Sequence, residues 1–171
     1  MKKSPWRSTV FTGTAGVYYV AYQLAGRQFH AAVTYGNAPS VDILVGLPDG
    51  GATLSLQVKA SSWALRTKGR GKKKLPHHYE WAVGDKSAKL ARPDLFFAFV
   101  DLRSGSGQLP DVFIVPSIVI RDAFRGAQLK WWRWHPKTEK IEQYKNKWDI
   151  LHEHLKKKGL PADAPANPED T

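Results

Sequence analysis

The chain has 171 residues, 42% of them hydrophobic, and carries 26 Lys and Arg against 15 Asp and Glu, a formal net charge of +11. That length and apolar content suit one domain with a real core, and the charge excess points to an anionic partner: nucleic acid first, with an acidic protein or a membrane surface as the other options. The absence of cysteine excludes disulfides, thiolate metal sites and a cysteine nucleophile, and no apolar run approaches the roughly 20 residues that span a bilayer.

The first residues are basic, but residues 4–14 are too polar for the core of a signal peptide, so a cytoplasmic protein is expected. Residues 13–26 place Val17, Tyr18, Val20, Ala21 and Leu24 at helical spacing and predict a helix ending near Gly26. Residues 29–35 predict a first strand, and Gly36-Asn37-Ala38-Pro39-Ser40 a loop. Residues 41–47 and 52–59 both read as strands, joined by Pro48-Asp49-Gly50-Gly51, a strong hairpin signal.

That turn sets a register. Centred on Asp49-Gly50, it pairs residues whose numbers sum to 99, so Asp42 faces Gln57 and Leu44 faces Ser55. Alternation puts Lys59 on the face of Gln57, and Ile43, Val45, Leu54, Leu56 and Val58 on the other. Directly opposed Cβ atoms lie about 5 Å apart, near enough for Asp42 and Gln57 to share one cation. A three-residue bulged turn would slip the register by one and undo the arrangement.

Residues 66–74 hold six cations, Arg66, Lys68, Arg70, Lys72, Lys73 and Lys74, interrupted by Gly69 and Gly71. This predicts a loop, either flexible and solvated or set against phosphates beside the polar face of the hairpin. Residues 76–83 predict a short strand and 85–90 a helical turn; residues 94–101 are almost continuously apolar, as in a strand buried on both faces. A polar loop at 103–110 leads to a strand at 111–115, then to a helix at 116–125 opened by Pro116. Residues 129–135 predict a last strand carrying Trp131, Trp132 and Trp134, mainly for packing. Trp148, Leu151 and Leu155 form one face of a closing helix. Residues 161–171, rich in Pro, Ala and acid, predict a disordered tail, leaving 1–160 as one domain.

Other chemistries find little support. His77 and His78 are adjacent and should point to opposite faces of a strand, while His152 and His154 diverge by about 200° on a helix. Neither pair has the helical metal spacing of four. The glycine-rich pieces lack the Gly-Lys-Ser/Thr ending of a phosphate loop, and no Gly-x-Ser-x-Gly elbow is present.

The order helix, strand, hairpin strand with Asp42, hairpin strand with Gln57-Val58-Lys59, helix, buried strand resembles the PD-(D/E)XK nuclease superfamily. The likeness is strongest to its Mrr-like and Holliday-junction-resolvase-like branches, in which Gln often replaces the acid before x-Lys. It is carried by residues 13–21, 36–45 and 56–61 and more loosely by 94–101 and 113–117. The resemblance implies a restriction-endonuclease-like three-layer α/β fold, a central mixed β-sheet flanked by helices. It also implies Mg²⁺-dependent hydrolysis of DNA phosphodiesters, with Mn²⁺ as a substitute, on duplex or branched DNA, and relatives often act as homodimers. Carried over, Asp42 is the main metal ligand, Gln57 adds its side-chain oxygen and Val58 its backbone carbonyl. Lys59 orients or helps deprotonate the attacking water and offsets charge on the phosphate. Where many relatives carry a Glu on the first helix this chain has Val17, which leaves Asp42 as the one certain anionic ligand; Glu80 and Asp85 are the candidate substitutes. A site with one formal charge holds Mg²⁺ weakly unless the scissile phosphate completes the coordination. The competing expectations are therefore an active endonuclease, a catalytically inactive nucleic-acid-binding module of the same fold, and a basic interaction protein.

Overall fold

The structure, a computed structural model, describes residues 9–35, 40–125 and 132–159; the tail expected at 161–171 and Trp131 lie outside them. Helix α1, Thr9–Ala25, starts earlier than predicted and contains no charged residue. It is followed by β1 (His30–Val33), β2 (Ile43–Gly46) and β3 (Thr53–Ser61). An exposed pair, β4 (Leu65–Lys68) and β5 (Leu75–Tyr79), comes next, then β6 (Trp81–Ala82) and the short α2 (Asp85–Ala88). The chain continues through β7 (Leu95–Asp101), β8 (Asp111–Pro116), α3 (Ser117–Phe124), β9 (Arg133–Trp134), α4 (Thr138–Ile141) and α5 (Asp149–Gly159).

The central sheet has the order β1-β2-β3-β7-β8 and is mixed: β3 and β7 run parallel, and the other neighbours antiparallel. The β2–β3 register is Ile43↔Leu56, Leu44↔Ser55, Val45↔Leu54 and Gly46↔Thr53, each pair summing to 99 as the Asp-Gly turn predicts. Gly50 and Gly51 both take positive φ, 81° and 86°, which makes the reversal cheap for glycine and strained for other residues.

The sheet separates two cores. On one face Ile43, Val45, Leu54, Leu56, Val58, Phe96, Ala98 and Ile114 pack against Val20 and Leu24 of α1 and Leu151 and Leu155 of α5. The helix face expected from Trp148, Leu151 and Leu155 is thus the one that is buried. α1 comes so close to β3 that a Cβ on Gly16 would collide with that of Ala60. On the other face Phe97, Phe99, Phe113 and Val115 pack with Trp81, Trp134, Ile120, Phe124 and Ile141. Because β7 is wrapped on both faces, all seven of its residues are buried, as its apolar run predicts. The architecture is the α/β arrangement expected, a central mixed sheet between helical layers.

Three expectations need correction. The predicted strand at 76–83 is divided into β5 and β6, which pair with different partners, β4 and β9. The predicted strand at 129–135 shrinks, within the described residues, to Arg133–Trp134, because Trp132 takes a φ of +46° that breaks the alternation. Trp132 packs on Phe124 and lies beneath the Lys89 ammonium, while Trp134 is buried against Trp81 and Phe99. Finally, His77 and His78 do not diverge: a register shift in the β4–β5 ladder brings their Nδ1 atoms to 2.8 Å, one ring donating to the other.

Candidate active site

Asp42 stands at the mouth of the β2–β3 hairpin, held by its own backbone. Its N–H donates to the Leu56 carbonyl (2.8 Å), and its carbonyl accepts from the Thr34 N–H (3.0 Å). The Thr34 hydroxyl donates to the Val41 carbonyl (2.6 Å). The regular β2–β3 pairing stops at Ile43↔Leu56, and the next inward-facing N–H, that of Val58, donates instead to Asp42 Oδ2 (2.7 Å). A charge-assisted bond of this kind fixes the carboxylate over β3. Its other oxygen meets no donor among the described residues.

The backbone of β3 explains where Val58 points. Ser55 N–H bonds to the Asp94 carbonyl on the β7 side, so the backbone groups of residues 55, 57 and 59 face β7 and those of 54, 56 and 58 face β2. The Val58 carbonyl therefore lies on the Asp42 side, past the last β2–β3 pair.

Gln57 and Lys59 project to the opposite side of β3 from Leu56 and Val58, as alternation requires. Gln57 is 8% exposed, and its Oε1 is buried without a hydrogen-bond partner among the described residues. An unsatisfied buried acceptor costs about 1–3 kcal/mol, so such atoms call for a compensating ligand. Lys59 donates from Nζ to Ser87 Oγ at 3.2 Å. Burial draws the Lys59 ammonium below the usual lysine range, and the Asp42 carboxylate opposes that shift. The Asp42 carboxylate thus lies near enough to act on Lys59, and Gln57 sits two residues before Lys59 on the same face of β3.

Two neighbours escape short-range sequence reasoning. Ser87, 7% exposed, reaches Lys59 from α2 across 28 positions of sequence. Arg92 donates from Nη2 to Ser55 Oγ (3.2 Å), on the Gln57 face of β3, and its backbone is clasped by the Ser117 hydroxyl. Neither belongs to a local motif; only the parallel β3–β7 crossover brings them in.

The candidate substitute acids are engaged elsewhere. Glu80 pairs with Arg66 (3.4 Å), Arg133 and His135 (3.5 Å), and Asp85 pairs with Lys89 (2.7 Å). Val17 is half-buried against the α1–sheet core. Among the described residues no cluster of three or more His, Asp or Glu is arranged to hold a metal ion. A cation here would rely on one carboxylate, one amide oxygen and one carbonyl. These are hard oxygen donors of the kind Mg²⁺ prefers, and the orphaned Gln57 Oε1 fits that set.

The basic segment is not the loop expected. Arg66 and Lys68 lie in β4, Gly71–Lys73 forms a 3-10 turn containing Lys72, and β5 returns from Leu75. Lys68, Arg70, Lys73 and Lys74 are exposed. Arg66 is committed to the root, donating to the Trp63 carbonyl and pairing with Glu80.

No helix among the described residues is long and apolar enough to cross a membrane. No protein-family model matches the chain, and no curated protein matches it. Among solved structures, a bacterial homing endonuclease, I-Ssp6803I, is similar in fold: the superposition has a TM-score of 0.56 at 15% identity and covers 88% of this chain and 96% of that one.

Proposed function

We propose that this chain is a metal-dependent endonuclease of the PD-(D/E)XK type, closest to the branches with a Gln-x-Lys motif, that hydrolyses DNA phosphodiesters. The observation that carries the reading is the convergence of Asp42, Lys59 and the unpartnered Gln57 Oε1 at the open end of one hairpin. The fold shared with a homing endonuclease supports DNA as the substrate.

In this reading Asp42, Gln57 and the Val58 carbonyl hold Mg²⁺ or Mn²⁺, which when bound supplies a Lewis acid and an acidified water. Lys59 stands next to that set with its ammonium steadied by Ser87, placed to offset negative charge developing on the phosphate. Asp42 keeps its carboxylate aimed by accepting from the Val58 N–H. Because Val17 adds no carboxylate and Glu80 and Asp85 are paired elsewhere, the residues that would hold the metal carry one formal charge, so metal binding would be coupled to DNA binding. Those same absences favour the second reading, an inactive DNA-binding module.

The deciding experiment incubates purified protein with linear, supercoiled, single-stranded and branched DNA in Mg²⁺ or Mn²⁺. Cleavage is expected, and Lys59→Ala is expected to lower it by about 10²–10⁴-fold with DNA binding nearly intact. No cleavage of any substrate with either metal would select the binding-module reading.

A further inference from the structure

The β4–β5 ribbon stands clear of the domain. From Thr67 to His77 every residue whose side chain is described is exposed, on both faces of the ribbon. An isolated two-stranded hairpin is marginal in water, so a bare one needs its shape set from elsewhere. Here the root does that. The buried Asp101 carboxylate, 1% exposed, accepts from the N–H groups of Ala64 (2.8 Å) and Leu65 (3.2 Å), fixing where the ribbon leaves the sheet. Glu80 ties Arg66 on one strand to Arg133 and His135 of the β9 segment. At the tip Gly69 has a φ of 117°, and a Cβ there would strike the Lys73 carbonyl, so the reversal depends on glycine.

Charge and position identify what an arm rooted in this way fits. No acidic residue occurs from 50 to 79, so the ribbon's cations are not neutralised within its own strands. Arm and candidate site lie toward the same end of the sheet: Gln57 and Lys59 are in the part of β3 that runs past the last β2–β3 pair, and β4 begins four residues after that strand ends at Ser61. The major groove of B-form DNA, about 12 Å wide, admits a two-stranded ribbon, whereas the A-form groove of duplex RNA is too narrow for side chains to read. Leu75, 69% exposed on the ribbon, matches the apolar contact that a thymine methyl presents in that groove.

We propose that the β4–β5 arm enters the major groove of duplex DNA, so that the substrate of the neighbouring site is B-form double-stranded DNA rather than duplex RNA or single strands. Only the word substrate rests on the nuclease reading; groove binding stands apart from it. Lys68, Arg70, Lys73 and Lys74 contact the phosphates that flank the groove, and Leu75 faces base edges.

The test measures binding by fluorescence anisotropy, with Lys59→Ala protein so that substrate survives, to a DNA duplex, an RNA duplex of the same sequence and the single DNA strand. The DNA duplex is expected to bind at least about tenfold tighter than either alternative. Adding Lys68→Ala, Arg70→Ala, Lys73→Ala and Lys74→Ala should weaken duplex binding by about 10²-fold or more and reduce the salt slope by about three to four. Methylating guanine N7, a major-groove atom, should interfere with binding, and a minor-groove ligand should not. Equal affinity for the RNA duplex, an unchanged salt slope in a variant that melts like its parent, or interference from the minor groove alone would overturn the proposal. Arm-dependent duplex binding without any cleavage would sink the nuclease reading and leave the arm; wild-type cleavage by the arm variant in the Lys59 background would do the reverse.

Discussion

Two hairpins follow one another along this chain and are built in opposite ways. β2–β3 has an apolar face sealed under α1 and α5, with Ile43, Val45 and Leu56 at 0% exposure, and carries Asp42, Gln57 and Lys59 toward its open end. β4–β5 buries little beyond its root and carries its cations on β4 and at its tip. The first hairpin can therefore hold an acid, an amide and an amine in fixed relation, because its register cannot slip without exposing a whole core face. The second has no such constraint beyond Ala64 and Leu65, and its outer half is free to meet a large, charged surface. Precision comes from burial, and reach comes from leaving the strands bare.

The comparison breaks if the two hairpins respond alike to truncation. Leu56→Ala, in the buried one, is expected to cost about 2–5 kcal/mol, whereas Leu75→Ala on the arm should stay within about 0.5 kcal/mol. Urea midpoints would show it, and similar losses would mean that the arm is part of the core. Next in size, Gly16→Ala forces a methyl into Ala60 across the α1–β3 contact and should cost about 1–3 kcal/mol, because backbone and not a flexible side chain must yield. A neutral result would place α1 further from the sheet.

Ser87→Ala sharpens the role of the first hairpin's open end. As a positioning residue for Lys59, its loss should lower kcat by about tenfold, equivalent to about 1.4 kcal/mol, with KM little changed and with Ser87→Thr recovering most of the rate. A change in KM alone, or no rescue by threonine, would assign Ser87 to packing. The smallest effect concerns the arm's root. Burial alone would raise the Glu80 carboxyl, but the charges and hydrogen bond supplied by Arg66, Arg133 and His135 outweigh it and hold the group below its ordinary range. A depressed carboxyl stabilises the fold fully above the unfolded value of about 4.3 and loses that contribution as pH falls through the lower folded value. The melting temperature of Glu80→Gln should thus lie about a degree or two below wild type at pH 7, the gap closing below about pH 4. A gap that persists in acid would trace the loss to shape and not to charge.

The hairpin register around the candidate site was legible before any fold was known, for a local reason. The Asp49-Gly50 reversal and the two-residue period of a strand are nearest-neighbour properties, and together they put Asp42 opposite Gln57 and Lys59 beside it. The same logic, applied to the run from Leu95 to Val100, recognised the strand buried on both faces. It failed where a turn or bulge intervened without a marker. The β4–β5 shift that joins His77 to His78 and the positive φ of Trp132 have no signature in the residues around them.

What the sequence by itself determined is therefore the register of the hairpin, the identity of its polar face and the basic, acid-free stretch that follows. Only the tertiary structure decided that this stretch is a ribbon on a fixed root and that Ser87 steadies Lys59. It alone showed that Glu80 and Asp85 are spent on other partners. Those outcomes depend on the parallel pairing of β3 with β7, whose partners lie about 40 residues apart. No periodicity in the intervening chain encodes which of its side chains that crossover will deliver to the site.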